Sequence, residues 1–145
     1  EQITITGWIN ASELSGQILD FRIHAYKVGL DISLKPQGCF EIRASSSRND
    51  QPQKVRIPFR TTDDWHHIIL MVDFPEDRIR FWLDKNEIEH DTPLSFARPF
   101  FERGLPEQQD VIGGTIDKTS GFKGQLDDLR FFRRALSDRE IDEIY

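Results

Sequence analysis

Apolar and polar side chains alternate along much of this chain, and that alternation restricts its fold more than any other feature. In residues 18–24, the apolar Leu19, Phe21 and Ile23 share one side of an extended backbone. The polar side chains between and after them share the other side: Asp20, Arg22 and His24. The same period of two recurs at residues 3–10, 28–34, 40–44, 54–59, 78–83 and 125–132. It predicts about eight to ten short strands, which is typical of an all-β sandwich.

Two segments depart from simple alternation. Residues 65–72 are apolar at consecutive positions from Ile68 onward, which predicts a central strand covered on both faces. Ser137 and Glu140 are the ends of a capping-box sequence, S-D-R-E, which predicts the start of a helix. Leu136, Ile141 and Ile144 then fall on one helical face. We predict a single domain, residues 1–145, with two antiparallel sheets and a short C-terminal helix.

Charge and composition exclude several classes of function. The net charge of the 145 residues is −6, and basic and acidic residues are interleaved. Binding to nucleic acid is therefore not expected, because phosphate neutralisation needs a concentrated basic face. No run of residues approaches the roughly 18 apolar positions that a membrane span requires. Cys39 is the single cysteine, so an internal disulfide is impossible.

Four stretches carry a family resemblance. Residues 121–141, G-F-K-G-Q-L-D-D-L-R-F-F-R-R-A-L-S-D-R-E-I, resemble the closing motif of laminin-G-like, concanavalin A-like jelly-roll domains. Residues 65–73 begin with W-H-H and resemble the central strand of that family, and residues 80–88 resemble its strand–turn pair. Residues 3–9 resemble its early T-I-S-A-W-V strand. Together these matches imply a jelly-roll fold over nearly the whole chain.

The resemblance also implies a biological setting. Laminin-G-like modules of this length without disulfides are similar to those appended to secreted bacterial glycoside hydrolases, including enzymes that degrade levan and fructan. Such a module is extracellular or periplasmic and holds a catalytic domain at its polysaccharide. The family usually has one more strand before the T-I-S-A-W-V stretch. We therefore expect an excised module or a chain that lacks its first strand.

Catalysis by this chain is not expected. Glycoside hydrolases on this fold carry paired carboxylates on one strand, spaced E-x-D-x-E. The nearest sequence here, residues 140–143, falls on the predicted helix, where alternate residues do not meet. A G-x-S-x-G nucleophile motif is also missing from the sequence.

Metal binding is considered for two sets of residues. His66 and His67 are adjacent, so on a strand they face opposite sides and cannot share one ion. The resemblance implies a calcium ion near the aspartate of the closing motif, which is Asp127 here. The alternative is that Asp127 accepts hydrogen bonds from loop amides.

The sequence favours binding of a saccharide as the function. Saccharides are held by stacking on aromatic rings and by hydrogen bonds from charged or amide side chains. Side chains that point outward from several predicted strands supply those groups: Asp20, Arg22, His24, Asp31, Glu41, Arg43, Arg80 and Trp82. If their strands share one sheet, they form a polar face that contains an exposed tryptophan. The alternative is a solvated face with cross-strand ion pairs and no ligand.

Two other functions remain open. A protein-interaction or adhesion module would present an apolar patch, and the proline-rich segment 90–110 offers Phe96, Phe100 and Phe101 for it. The simpler interpretation of these phenylalanines is that they pin the segment to the sandwich. A structural spacer packed against a neighbouring catalytic domain is the third possibility.

Overall fold

A computed structural model describes residues 2–23, 28–45, 51–96, 111–115 and 119–145 of the chain. Over these ranges the elements run in the order β1 (Gln2–Ala11), β2 (Gly16–Ile23), β3 (Val28–Lys35), β4 (Cys39–Ser45), β5 (Gln53–Pro58), β6 (Trp65–Asp73), β7 (Arg78–Leu83), β8 (Asn86–Glu87), β9 (Val111–Ile112), β10 (Gly124–Phe132) and α1 (Asp138–Ile144). Sheet A has the order β10-β1-β6-β7-β8, and sheet B has the order β5-β4-β3-β2-β9. All neighbouring strands are antiparallel. The predicted all-β sandwich with a C-terminal helix is confirmed.

The main core lies between the two sheets and is formed by the apolar positions of the alternating pattern. Each side chain of this kind contributes about 1.5–3 kcal/mol when it is fully buried. Sheets A and B both supply side chains that are at most 3% exposed, among them Ile5, Leu70, Phe81, Leu19, Leu30, Ile42 and Val55. Alternation therefore predicted correctly which side of these strands faces the interior.

The central strand β6 is covered on both faces, as its sequence predicts. Ile68, Leu70 and Val72 belong to the main core. Ile69 and Met71 point to the outer face of sheet A. There they form a second apolar cluster with Trp82 of β7, Ile141 of α1 and Leu136, which precedes the helix. The helix is thus a cover for the outer face of sheet A.

The start of α1 is fixed by the predicted capping box. The Ser137 hydroxyl accepts a hydrogen bond from the Glu140 amide at 3.3 Å, and a carboxylate oxygen of Glu140 accepts one from the Ser137 amide at 2.9 Å. Arg134 donates two further hydrogen bonds to the same carboxylate, at 2.9 and 2.6 Å. The hydrogen bonds from Arg134 are the largest cause of the lowered pKa of Glu140, which is about 2, and those from Ser137 add to it.

Among the described residues no helix is both long and apolar enough to span a membrane.

Strand β10 contains a β-bulge opposite Gly7. Thr6 pairs with Arg130 whereas Trp8 pairs with Asp127, so two residues of β10 oppose one residue of β1. Asp128 at the bulge has φ of 47°, outside the usual range for a strand. A Cβ atom at position 7 would lie 2.4 Å from Cδ2 of Leu129, so a larger residue there requires the Leu129 side chain to move.

The start of the proline-rich segment is pinned to the sandwich. Phe96 is 4% exposed, and its ring packs against Phe74 with a centroid distance of 4.8 Å. The Phe96 amide donates a hydrogen bond of 2.8 Å to Asp77. Pinning is therefore confirmed for Phe96, while Phe100 and Phe101 lie outside the described residues.

Candidate functional site

The outward side of sheet B gathers polar side chains from four neighbouring strands. We call this surface the sheet B face and define it by Gln17 and Asp20 of β2, Asp31, Ser33 and Lys35 of β3, Glu41 and Arg43 of β4, and Lys54 and Arg56 of β5. The strand register sets all of these residues except Lys35 in two rows. One row runs across the sheet through Asp20, Asp31, Arg43 and Lys54, and the other through Gln17, Ser33, Glu41 and Arg56.

The first row is centred on a buried carboxylate. Asp31 is 0% exposed, and its Oδ1 accepts hydrogen bonds from Nε2 of Gln17 at 3.1 Å and from Nε of Arg43 at 3.0 Å. Nε2 of Gln17 is also 2.8 Å from the Leu19 carbonyl oxygen, so its amide is fixed in place. The Arg43 side chain is 27% exposed. Asp31 therefore anchors a guanidinium group that reaches the surface.

The second row repeats this arrangement with Glu41. Its Oε2 accepts a hydrogen bond of 3.1 Å from Nε of Arg56 and lies 3.0 Å from Nη2, and its Oε1 lies 3.7 Å from Nζ of Lys35. The Glu41 side chain is 8% exposed, whereas that of Arg56 is 68% exposed. Burial raises the pKa of Glu41, but the hydrogen bond from Arg56 and the charges of Lys35, Arg56 and Arg43 together lower it below its ordinary value. Glu41 is thus an ionised anchor for an exposed cation.

Four of the residues that the sequence predicts for a site lie together on the sheet B face: Asp20, Asp31, Glu41 and Arg43. Arg22 lies on β2 opposite Gly29, but its side chain is not among those described. His24 lies outside the described residues.

The prediction of one shared face containing an exposed tryptophan is wrong. Arg80 and Trp82 lie on β7, which belongs to sheet A. Trp82 is only 5% exposed, because α1 packs over the outer side of that sheet. A side chain that points outward from a strand is exposed only where no other element covers it, and the alternation of β7 alone does not show that α1 lies over this side.

Arg80 is engaged by other residues of the domain. It donates hydrogen bonds of 2.7 and 2.8 Å to Glu87 and one of 3.2 Å to Asp138, and its guanidinium lies 4.4 Å from the centroid of Trp82. The hydrogen bond to Glu87 is the main reason that the pKa of Arg80 is raised. This arginine links β7, β8 and the helix, which is a structural role.

A groove of about 670 Å³ lies beside Arg80. Its polar lining is mostly acidic or ion-paired and includes Asp77, Arg78, Glu87, Glu89, Asp91 and Asp138. Arg80, which lines this groove, already donates hydrogen bonds to Glu87 and Asp138.

Sequence reasoning left Gln17, Lys35, Lys54 and Arg56 out of the predicted site. The alternation places Lys54 and Arg56 on the outward side of β5, so part of the signal was present. Only the register of β5 against β4 sets Arg56 opposite Glu41 and Lys54 opposite Arg43. Strand register was not predicted from the sequence.

The two adjacent histidines face opposite sides of β6, as predicted. The His66 ring packs edge-on against Phe59 on the core side, and its Nδ1 lies 2.6 Å from Oδ2 of Asp84. His67 instead packs against Trp8 and Tyr145, with centroid distances of 5.1 and 5.2 Å. They therefore cannot share one metal ion.

Calcium at Asp127 stays a prediction. Asp127 is exposed, and its Oδ1 accepts a hydrogen bond of 2.8 Å from the Asp128 amide. Within the described ranges, no three histidine, cysteine or acidic side chains are grouped so as to hold a metal ion.

Comparison with known proteins gives one sequence relative and several structural ones. A pentraxin fusion protein from Xenopus laevis is 29% identical over 94 residues, which are 62% of this chain and 22% of that protein. The structure of a Ruminococcus gnavus IT-sialidase CBM40 bound to α2,3-sialyllactose matches with a TM-score of 0.73 and 14% identity, over 99% of this chain and 82% of that one. A SAP-like pentraxin from Limulus polyphemus matches with a TM-score of 0.67 and 15% identity, over 99% of this chain and 69% of the other.

A larger enzyme also contains this fold. The NanB sialidase of Streptococcus pneumoniae matches with a TM-score of 0.78 and 14% identity, over all of this chain but 24% of the enzyme. At such identities the structures establish the fold alone. The family model described as the concanavalin A-like lectin/glucanases superfamily matches residues 1–142. This chain therefore belongs to the concanavalin A-like lectin/glucanase superfamily.

Proposed function

We propose that this domain is a non-catalytic carbohydrate-binding module and that the sheet B face is its glycan-binding surface. The observation that carries the proposal is the set of buried anchors beneath exposed donors. Asp31 and Glu41 fix the guanidinium groups of Arg43 and Arg56, so the donors are oriented before a ligand arrives. Preorganised donors lower the entropic cost of binding a hydroxyl-rich ligand. The R. gnavus module bound to sialyllactose shares this fold and supports the proposal.

The burial of the carboxylates supports a non-catalytic role. Glycoside hydrolysis needs two carboxyl groups that flank the glycosidic bond of the substrate. Asp20 and Asp31 lie opposite each other on β2 and β3, but both are 0% exposed. A sugar ring at the surface does not reach either one. The sheet B face is suited to holding a saccharide without cleaving it.

The wider setting follows from the same proposal. The module holds an attached glycoside hydrolase or surface protein at an extracellular polysaccharide, or at one in the periplasm. This arrangement raises the effective concentration of the polysaccharide near its partner domain. Fructans are the first neutral polysaccharides to test, because the sequence resembles modules of fructan-degrading enzymes.

Isothermal titration calorimetry against a panel of fructans, galactans, glucans and acidic glycans tests the proposal. We expect heat of binding with at least one glycan and its loss in the double variant Lys54→Ala/Arg56→Ala. The matched control is Arg130→Ala/Arg139→Ala, which removes two exposed arginines that also have carboxylate partners, Asp128 and Glu143. A silent panel, or equal loss of binding in both variants, would contradict the proposal.

A protein-interaction or structural spacer role is the second candidate, and one observation favours it. Phe131 of β10 is 45% exposed and Ile112 of β9 is 52% exposed, both on edge strands. Phe96, which the sequence offered for an apolar patch, is buried and does not contribute. If the glycan panel is silent and Phe131→Asp disrupts packing against the adjacent domain of the full-length protein, this second function replaces the first.

A further inference from the structure

The sheet B face buries its acidic groups and exposes its basic groups. Asp20 and Asp31 are 0% exposed and Glu41 is 6% exposed. In contrast, the side chains of Lys35, Arg43 and Arg56 are 34%, 27% and 68% exposed, and Lys54 is also an exposed residue. Among the described charged side chains of this face, the cations are therefore the more accessible ones. This is unexpected for a chain with a net charge of −6.

The register also sets like charges together. Arg43 and Lys54 are directly opposite on β4 and β5, and Arg56 is the diagonal neighbour of Arg43 on the same side. Like charges directly opposite in an antiparallel pair are destabilising. The Asp31 carboxylate, which accepts a hydrogen bond from Arg43, offsets part of this repulsion. Lys54 lies opposite Arg43, and no carboxylate of the described residues is paired with it in the strand register. A bound anion between these cations would remove the repulsion.

We propose that the sheet B face recognises an acidic saccharide, whose carboxylate or sulfate group is held by Arg43, Lys54 and Arg56. This inference rests on the carbohydrate-binding function proposed above and names the class of glycan. A sugar acid carries a planar carboxylate and a sulfated glycan carries a tetrahedral sulfate. Each of these anions can accept two parallel N–H hydrogen bonds from a guanidinium group.

Arg56 has donors available for such an anion. A guanidinium group carries five N–H donors. Nε and Nη2 of Arg56 face a single oxygen of Glu41, so the Nη1 side of the group is directed away from that carboxylate. With 68% of its side chain exposed, Arg56 meets a ligand without rearrangement of the sheet. Lys54 supplies a second, flexible positive charge on the same edge strand.

A purely structural explanation exists for charges on β5. Edge strands carry lysine, arginine or proline because such residues prevent pairing with other chains. That role is filled by any charged side chain and is indifferent to its sign. Acidic-ligand recognition instead requires positive charge, so exchanging Lys54 for glutamate separates the two explanations.

The experiment measures binding of four ligands by calorimetry at about 50 mM salt, where surface charges are weakly screened. The ligands are polygalacturonate, sialyllactose, a sulfated glycosaminoglycan and a neutral fructan. We expect an acidic ligand to bind, and Arg56→Gln to weaken it about tenfold or more, since it removes a charge-assisted contact. Lys54→Glu should weaken it further, and Arg56→Lys should recover part of the affinity. Arg139→Gln is the matched control and should change nothing.

Each outcome has a distinct consequence. Binding of polygalacturonate or sialyllactose alone identifies a carboxylate ligand, and binding of the glycosaminoglycan alone identifies a sulfate ligand. Binding of the fructan that is unaffected by Arg56→Gln overturns the inference and leaves the carbohydrate-binding function intact. Binding of acidic glycans that survives Lys54→Glu overturns the assigned site. Silence with all four ligands, when urea unfolding shows a folded protein, overturns this inference, and silence across the wider panel overturns the function.

Discussion

The outer faces of the two sheets are both formed by alternate residues of their strands, but they differ in polarity and in what covers them. On sheet A, the outward Ile69, Met71 and Trp82 are covered by α1 and form a second apolar cluster. On sheet B, outward positions carry charged and amide side chains, and the carboxylates among them are buried by 92% or more. The comparison shows that an outward side chain on a strand is either buried beneath another element or part of a polar face. Apolar outward residues indicate a covering element, whereas mixed charges indicate a functional or solvated face.

The largest expected effect of a single substitution tests the cover on sheet A. Trp82→Ala should lower the free energy of unfolding by about 3–5 kcal/mol, because it leaves a cavity beneath α1. Trp65→Ala is the matched control, since Trp65 is 43% exposed and its loss should cost only about 0.5 kcal/mol. Urea unfolding followed by circular dichroism measures both. A stable Trp82→Ala protein that had lost glycan binding would reverse the roles of the two faces.

A smaller effect is expected at the anchors of sheet B. Arg43→Gln removes a hydrogen bond to the buried Asp31 and should destabilise the domain by about 1–3 kcal/mol. Arg130→Gln removes a comparable bond to Asp128 at the exposed surface and should cost less than about 1 kcal/mol. Adding Asp31→Asn to Arg43→Gln should recover part of the loss, because a neutral amide then replaces the buried carboxylate that has lost its bonded arginine. Equal costs for the two arginines would show that Asp31 is not an effective anchor.

The fold was predictable because its determinants are local. Alternation located the longer strands but not the two-residue strands β8 and β9. The consecutive apolar residues of β6 indicated cover on both faces, and the S-D-R-E sequence located α1. The site was only partly predictable because it depends on strand register and on which element covers which face. The pairing of Glu41 with Arg56 depends on strand register. The burial of Trp82 depends on the helix that covers sheet A. The bulge at Asp128 is a third case, since it interrupts the period of two in β10 and sets Asp127 opposite Trp8.

The cap of α1 offers a gentler test of the cover on sheet A. Ser137→Ala removes the hydroxyl that accepts from the Glu140 amide and should destabilise the domain by about 1 kcal/mol. Ser137→Asp keeps an acceptor at that position and should retain most of the stability. Thermal unfolding compares the two variants. If Ser137→Ala has no effect, docking of Leu136 and Ile141 alone holds the helix in place.

The smallest expected effects are changes of stability with pH. They arise from His67 on sheet A and Glu41 on sheet B, whose pKa values are lowered for different reasons. On sheet A, burial lowers the pKa of His67 below 6.5 and outweighs the opposing charges of Asp84 and Asp128, while Arg130 adds to the decrease. On sheet B, burial opposes the decrease in the pKa of Glu41, and the nearby cations produce it. Each group has a lower pKa in the folded state than in the unfolded state. The unfolded chain therefore binds more protons as pH falls, and stability decreases.

The two losses occupy different pH windows. The contribution of His67 is present above about pH 6.5 and is lost as pH falls through the lowered pKa of its imidazole. That of Glu41 is present above about pH 4.5 and is lost below it. Urea unfolding from about pH 7.5 to about pH 3.5 should show both decreases. His67→Gln should remove the first decrease alone, and Arg56→Gln should reduce the second alone, because it removes the strongest stabilising contact of the Glu41 carboxylate. NMR titration of the His67 ring gives an independent measure, and a pKa at or above 6.5 would show that the outer face of sheet A is open to water at that position.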